Sequence, residues 1–280
     1  MVIDLHTHSL ASDGTDTPAE LMAKAAQAGL TAVALTDHDT IEGWAEAAAA
    51  VEAAGVALVR GTEISTNHRG ISVHLLSYLH DPAHPGLAAA FDATRSARDS
   101  RARRMVERVG ADFPLTWDEV AALAGPGATI GRPHVADALV ARGYVRDRSE
   151  AFTRILASAG PYYVRYESPP LLGTVELVRE AGGVPVVAHV RASARGRIIS
   201  DDDIAEAAEA GLAGIEVDHR DHTPADRDHL RALAGELGLL VTGSSDYHGR
   251  GKPNRLGENT TAPEVLEAIA ERGMLDVIRP

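Results

Sequence analysis

Cysteine is absent from the 280 residues. That excludes disulfides, thiolate nucleophiles and every cysteine-ligated zinc or iron–sulfur site, so any metal here must be held by nitrogen and oxygen. No apolar run approaches the roughly 20 residues of a membrane-spanning helix. The first strand pattern begins at Val2, which leaves no room for a signal peptide and gives a cytoplasmic expectation. An excess of basic residues is lacking too: the formal charge is −13, which argues against general affinity for nucleic acid over the whole surface. Internal repeats and low-complexity linkers are missing, and nothing in the chain implies a stable protein partner. What remains, with 45 % hydrophobic residues and a mean hydropathy of −0.10, is an ordinary globular chain long enough for one large domain or a domain with an insertion.

Short apolar strands alternate with helices. Val2–Leu5 precedes a helix marked by Thr17 as N-cap, Pro18 at its first position, Glu20 completing a capping box and Gly29 past its end. Thr31–Leu35 reads as a second strand, the alanine-rich Ile41–Ala54 as a helix, and VALVRGTEIS and ISVHLLSYL as strands three and four. From about Asp81 to Pro170 the β signal fades, and helices are expected near Leu87–Val109, Thr116–Leu123, Pro133–Ala141 and Glu150–Ala157. GVPVVAHV, LAGIEVDH and LGLLVTGSSDYH then restore the alternation, and a last helix runs over Pro263–Arg272. Seven strand signals with intervening helices predict an α/β fold, a (β/α) barrel with an inserted all-helical subdomain. The expected division is 1–80 and 171–280 for the barrel and 81–170 for the insertion.

Imidazoles and carboxylates recur where these strands end. Strand one gives His6 and His8, strand two Asp37, His38 and Asp39, and strand three Glu63; His74 lies within the fourth, His189 ends the fifth, and Asp246 and His248 follow the seventh. In a parallel barrel those C-terminal ends meet on one face, where active sites are built. Alternate strand residues point the same way about 6–7 Å apart, so His6 and His8 can bite one metal. A buried histidine can instead be a hydrogen-bonded core residue, but so many at matching strand ends would each need a separate buried partner. His68, His80, His84, His222 and His229 fall in loops or polar helices and read as solvated surface; His219, at a strand end, is ambiguous. A sulfur-free His/Asp/Glu set suits manganese, iron or zinc. So many ligands exceed the needs of one ion and fit two or three divalent ions sharing a bridging carboxylate, an arrangement typical of phosphoryl hydrolysis.

DLHTHSLASDGT, LTDHDT, GTEIS, HLLSYL and SSDYH, in that order, resemble the PHP family, named for its polymerase and histidinol phosphatase members. The resemblance implies a distorted (β/α)7 barrel, a trinuclear metal centre and phosphoester hydrolysis. Carried over by motif, the metal ligands would be His6, His8, Asp13, His38, Glu63, His74, His189, Asp246 and His248. Glu63 as the bridging carboxylate and His189 are the candidate catalytic residues, and the proton donor to the leaving group is open between His189 and a metal-bound water. GRPHVADAL in the insertion is similar to stand-alone phosphoesterases that include 3′,5′-nucleotide bisphosphate phosphatases, whose relatives also trim 5′ ends of short RNA. That group commonly has proline after VVAH, where this chain has Val190.

Arg132 and His134 flank a proline at a helix start, where free N–H groups favour anions, and a guanidinium grips phosphate through a forked pair of bonds. The expected substrate is therefore a phosphate monoester of a nucleotide or short oligonucleotide, hydrolysed by metal-activated hydroxide. The alternatives are a histidinol-phosphate phosphatase and a non-catalytic, metal-stabilised scaffold module. Arg95, Arg98, Arg101, Arg103, Arg104 and Arg108 form a basic helix; a solvated face with local ion pairs is expected for most of them, with a funnel for a nucleotide chain as the alternative.

Overall fold

A computed structural model describes residues 1–124, 128–165 and 167–280. Seven strands form one sheet in chain order: β1 (Ile3–Thr7), β2 (Ala32–Leu35), β3 (Ala57–His68), β4 (Ile71–Tyr78), β5 (Val184–Val187), β6 (Gly214–Asp218) and β7 (Leu240–Gly243). The sheet curls until its ends almost meet, with Thr7 bridging Tyr247 and His8 N–H donating to the Tyr247 carbonyl at 2.8 Å. The expected distorted (β/α)7 barrel is the observed fold.

Its distortion has a local cause. β4 runs antiparallel to both β3 and β5, while the other neighbouring strands are parallel, so the barrel is not the fully parallel one expected. Arg69 and Gly70, with φ of 49° and 78°, make a two-residue turn that leaves no length for a crossover helix. Positive φ at both central residues is the condition for the turn that matches strand twist in a tight hairpin.

Helices α1 (Pro18–Gln27) and α2 (Trp44–Ala54) cover the first strands. Thr17 and Glu20 form the expected capping box, and Gly55 ends α2 at φ 65°. The α2 start lies three residues past the expected Ile41, because Ile41–Gly43 forms a turn whose Ile41 carbonyl accepts from Trp44 N–H. After β4 come α3 (Pro85–Gly110), α4 (Trp117–Leu123), α5 (Arg132–Ala141), α6 (Arg148–Arg154) and α7 (Leu171–Glu180); α8 (Asp201–Glu209), α9 (Pro224–Leu237) and α10 (Pro263–Arg272) complete the wall. Among the described residues between 81 and 170 there is no strand. Those helices share a core of their own, including Met105, Val109, Val120, Val135, Leu139 and Leu156. The first turns of α3 belong elsewhere: Leu87 and Phe91 pack with Ile64, Leu171 and Val175 against the barrel. This makes α3 the beam joining both cores. Arg98 and Arg101 are correspondingly buried rather than solvated, Arg101 donating to the Val164 carbonyl at 2.8 Å.

Several histidines expected at the surface are buried. His68 and His222 find partners in Asp203 and the Val217 carbonyl. His80 is fully enclosed between the rings of Trp44 and Phe91, with Nδ1 2.8 Å from Ser77 Oγ and Nε2 without a partner. Burial pushes its pKa from 6.5 down to about 4. The folded protein keeps His80 neutral while the unfolded chain takes up a proton as pH falls through about 6.5, so stability drains between there and about pH 4, by about 3 kcal/mol in all. Between about pH 7.5 and pH 5, the wild type should therefore lose about 2 kcal/mol more than His80→Leu in urea unfolding. Equal losses would remove His80 from the acid response.

Candidate metal centre

Glu63 lies at the middle of the candidate centre, and backbone pairing places it there. His38 bridges to Glu63 where β2 ends, and Glu63 N–H donates to the Thr36 carbonyl at 3.0 Å. Its Oε2 lies 3.2 Å from His6 Nε2, 3.0 Å from His8 Nε2 and 3.2 Å from His38 Nδ1. Its Oε1 lies 2.7 Å from His74 Nδ1 and 3.0 Å from His189 Nε2. Five imidazoles thus face one carboxylate, three on one oxygen and two on the other. His74 arrives on the antiparallel β4, and its carbonyl accepts from Ala188 N–H, which seats His189 alongside.

Asp13 and Asp246 close the remaining sides. Asp13 Oδ1 is 3.3 Å from His248 Nε2 and 3.7 Å from His8 Nδ1, and Oδ2 is 3.8 Å from His38 Nε2. Asp246 Oδ1 is 3.5 Å from His8 Nε2, 3.6 Å from His6 Nε2 and 3.4 Å from His248 Nδ1. All nine expected ligand residues therefore lie in one connected cluster, buried except for His74 and His189 at its open side. The Asp13 loop turns at Gly14, where any side chain would run into the His8 carbonyl. His189 and Asp246 adopt φ of 32° and 53°, and strained backbone of this kind is held in place only where its surroundings over-determine it.

Asp37 and Asp39, also noted at the end of the second strand, do a different job. Asp37 accepts from Ser9 N–H at 2.8 Å and from the hydroxyls of Ser9 and Ser12, ordering the loop that carries Asp13. Asp39 accepts from Ser65 N–H and from Arg98, tying the ends of β2 and β3 together. The helical region reaches the same loops: Thr129 donates to the His38 carbonyl, and Arg148, chelated by Asp137, donates to the Asp13 carbonyl at 2.9 Å.

The donor set fits divalent cations. Burial alone would raise the carboxyl of Glu63, but the imidazoles of His38, His74 and His6 outweigh it and hold it well below the ordinary value. Against burial, Glu63, Glu216 and Asp246 raise His6 well above its usual value, and Asp246 and Glu63 lift His8 to about 9. Burial pushes His248 to about 4 and His189 to about 3, with Lys252 and Arg195 adding to it. His38 Nδ1 and His248 Nε2 are buried and near carboxylate oxygens, yet make no hydrogen bond. His6 Nε2 and His8 Nε2 face each other at 3.0 Å. Lone pairs aimed at a common space, around carboxylates that otherwise hold protons on His6 and His8, are what a cation would satisfy. Three compact groupings occur: His8, Asp13, His38 and His248; His6, His8 and Glu63; and His38, Glu63 and His74. A further grouping of His68, Asp203 and Glu206 lies at the β3–β4 tip, where Arg69 already pairs with both carboxylates.

Sequence reasoning missed Glu216, Arg195 and Lys252, and left His219 ambiguous. Glu216, fully buried in β6, accepts from His6 Nδ1 at 3.1 Å, from His189 N–H at 2.7 Å and from the Ser244 hydroxyl. It fixes the His6 tautomer that leaves Nε2 for the cluster. A carboxylate behind a ligating histidine is worth about 10–100-fold in metal affinity, so Glu216→Ala should weaken metal binding by about that factor in a chelator competition. Unchanged affinity would reduce Glu216 to a packing role. His219 lies 3.6 Å from Asp246 Oδ2, fully buried. Arg195 and Lys252 donate to that same oxygen at 2.7 and 2.9 Å.

The two residues expected to bind substrate lie in α5. His134 is buried, and its Nδ1 accepts from Gly131 N–H at 3.2 Å to close the helix start. Burial lowers its pKa, opposed by the nearby Asp13 carboxylate. The Arg132 guanidinium stacks over Phe152 and Tyr163 and donates to the Leu156 carbonyl.

Comparison with known proteins places the chain among metal-dependent phosphoesterases. The family model described as PHP domain matches residues 4–108. The chain is 35 % identical over 280 residues to a 3′,5′-nucleoside bisphosphate phosphatase of Chromobacterium violaceum, covering 99 % of this chain and 98 % of that one. It is 34 % identical over 247 residues to a 5′-3′ exoribonuclease of Haemophilus influenzae, covering 88 % and 89 %. Among solved structures, a protein assigned as a metal-dependent phosphoesterase from Bifidobacterium adolescentis superposes with a TM-score of 0.95 at 44 % identity, covering 97 % of this chain and 96 % of that one. No helix among the described residues is long and apolar enough to cross a membrane.

Proposed function

The chain belongs to the PHP family and is a metal-dependent phosphoesterase, and we propose that it removes phosphate from a nucleotide-type monoester that carries a second anionic group. Adenosine 3′,5′-bisphosphate is the leading candidate. The observation that carries this reading is the set of five imidazoles on the two oxygens of Glu63, flanked by Asp13 and Asp246. In this reading His6, His8, Asp13, His38, Glu63, His74, His189, Asp246 and His248 hold two to three divalent ions of manganese, iron or zinc, with Glu63 shared between ions. Such ions supply Lewis acidity toward phosphate oxygens and lower the pKa of water. In this reading His189 serves as a ligand, its burial favouring the neutral imidazole that a metal needs.

The division into a barrel, 1–80 and 171–280, and an inserted subdomain, 81–170, is part of the proposal. It is supported by the separate core of α3–α6 and by the bonds from Thr129 and Arg148 onto the ligand loops. Within that insertion Arg132 and His134 take the second anionic group. Release of nucleotides from the 5′ ends of short RNA is a second reading, favoured by the exoribonuclease relative.

The test is removal of metal by dialysis against a chelator, return of manganese, zinc or ferrous iron singly, and assay at each stage. Substrates should include the bisphosphate, a 5′-phosphorylated short RNA, histidinol phosphate and p-nitrophenyl phosphate. Activity should vanish and return with metal, highest on the bisphosphate. Preference for histidinol phosphate would replace the substrate class, and a chain that neither binds metal nor hydrolyses any of them would be a scaffold module.

A further inference from the structure

Two cations stand at the metal centre with no role in holding metal. Arg195 Nη2 and Lys252 Nζ lie 2.7 and 2.9 Å from Asp246 Oδ2, the oxygen turned away from His6, His8 and His248. They come from different loops. Arg195 ends the short helical turn Ser193–Arg195 beyond β5 and His189, and Lys252 follows the turn Gly249–Gly251 beyond β7 and His248. Each side chain is 32 % exposed, while Asp246 is 1 % exposed, so both reach inward from the solvent-facing rim.

Electrostatics makes the pair informative. Cations are an obstacle beside a site meant for divalent ions, because each repels the metals that the carboxylates attract. The single charge of Asp246 cannot satisfy Arg195, Lys252 and a metal together. Asp221 takes part of the Arg195 charge through a 2.7 Å bond from Nε, and His219 lies 3.4 Å from Nη2, but Asp246 is the one carboxylate paired with Lys252 among the described residues. Once Asp246 is shared with metal, the two donors are left undercompensated, side by side at the mouth of the centre. An anion with several oxygens, arriving from solvent and bound to the metals, restores the balance.

We propose that Arg195 and Lys252 form a phosphate clamp that holds the non-bridging oxygens of the reacting phosphate, taking them in place of, or together with, Asp246 Oδ2. This rests on the phosphoesterase reading above and adds to it the residues that hold the phosphate beside the metals. It also separates two tasks: the clamp addresses the phosphate that every substrate carries, and the insertion addresses whatever distinguishes one substrate from another. A charge-assisted hydrogen bond to an ionised group supports an effect of roughly 10-fold or more for each residue.

The experiment uses the full chain saturated with manganese and compares wild type with Arg195→Met and Lys252→Met. Three quantities are measured: bound metal by elemental analysis, the inhibition constant of inorganic phosphate, and kcat and KM for p-nitrophenyl phosphate. Expected is metal content equal to wild type, phosphate inhibition weakened roughly 10-fold or more in each variant, and lower kcat/KM on this minimal substrate. Phosphate inhibition within about twofold of wild type overturns the clamp. So does a loss that tracks lost metal, which would make Arg195 and Lys252 positioning residues for Asp246. A wild type that binds manganese but hydrolyses nothing would overturn the phosphoesterase reading itself.

Discussion

Glu63→Gln should lose bound metal and turnover together. The side chain keeps its shape but exchanges an anion for a dipole with only one acceptor oxygen. In the native arrangement each carboxylate oxygen has its own imidazoles, His6, His8 and His38 on Oε2 and His74 and His189 on Oε1. The amide must turn its NH2 toward one group, placing hydrogens where nitrogen lone pairs converge. No rotamer flip escapes this, because both ends of the side chain are in use. Outer-shell partners alone are worth about 10–100-fold, so loss of the shared carboxylate should exceed about 100-fold in turnover and remove at least one ion per chain. Glu63 is buried within β3, so folding must be checked by circular dichroism and metal counted on the folded fraction. Full occupancy with undiminished turnover would take Glu63 out of the centre.

The candidate ligands were legible because barrel geometry brings strand ends to one face, although Glu63 lies inside β3 and His74 inside β4. Residues as far apart as His6 and His248 can be assigned to one face without knowing any loop. Glu216 obeys the same physics but sits in the middle of a strand. Its signal was a lone glutamate in the apolar run GIEVD, an expensive burial unless a donor answers it, and His6 does. The direction of β4 was also readable. The interval between the two apolar runs holds too few residues for a crossover, and Arg-Gly at its tip is compatible with a tight turn. Burial of His80, Arg98 and Arg101 was not readable. Each depends on how α3 lies against the barrel, and a basic, weakly amphipathic helix does not announce which cations face inward. Arg195 and Lys252 escaped for a related reason. They belong to turns after strand ends, and only the path of those turns brings both onto Asp246 Oδ2.

Arg132→Ala should separate substrates by the number of anionic groups they carry. The metal centre and the proposed clamp need one phosphate, so a residue serving a second group matters only when that group is present. Arg132 opens α5, and the rings of Phe152 and Tyr163 lie against its guanidinium with their centres 5.2 and 5.5 Å away, limiting the freedom the side chain would lose on binding. A charge-assisted contact of about 1.5–3 kcal/mol corresponds to a roughly 10- to 150-fold loss in kcat/KM on adenosine 3′,5′-bisphosphate. On p-nitrophenyl phosphate, which has only the reacting group, the loss should be small. For a contact to the second phosphate the bisphosphate defect belongs mainly in KM, whereas contact with the reacting phosphate would lower kcat on both substrates. If Arg132 only braces the insertion against Phe152 and Tyr163, its removal lowers thermal stability and affects both substrates alike. Equal kinetics for wild type and variant on the bisphosphate would exclude Arg132 from substrate binding and leave the second anion to other side chains of the insertion.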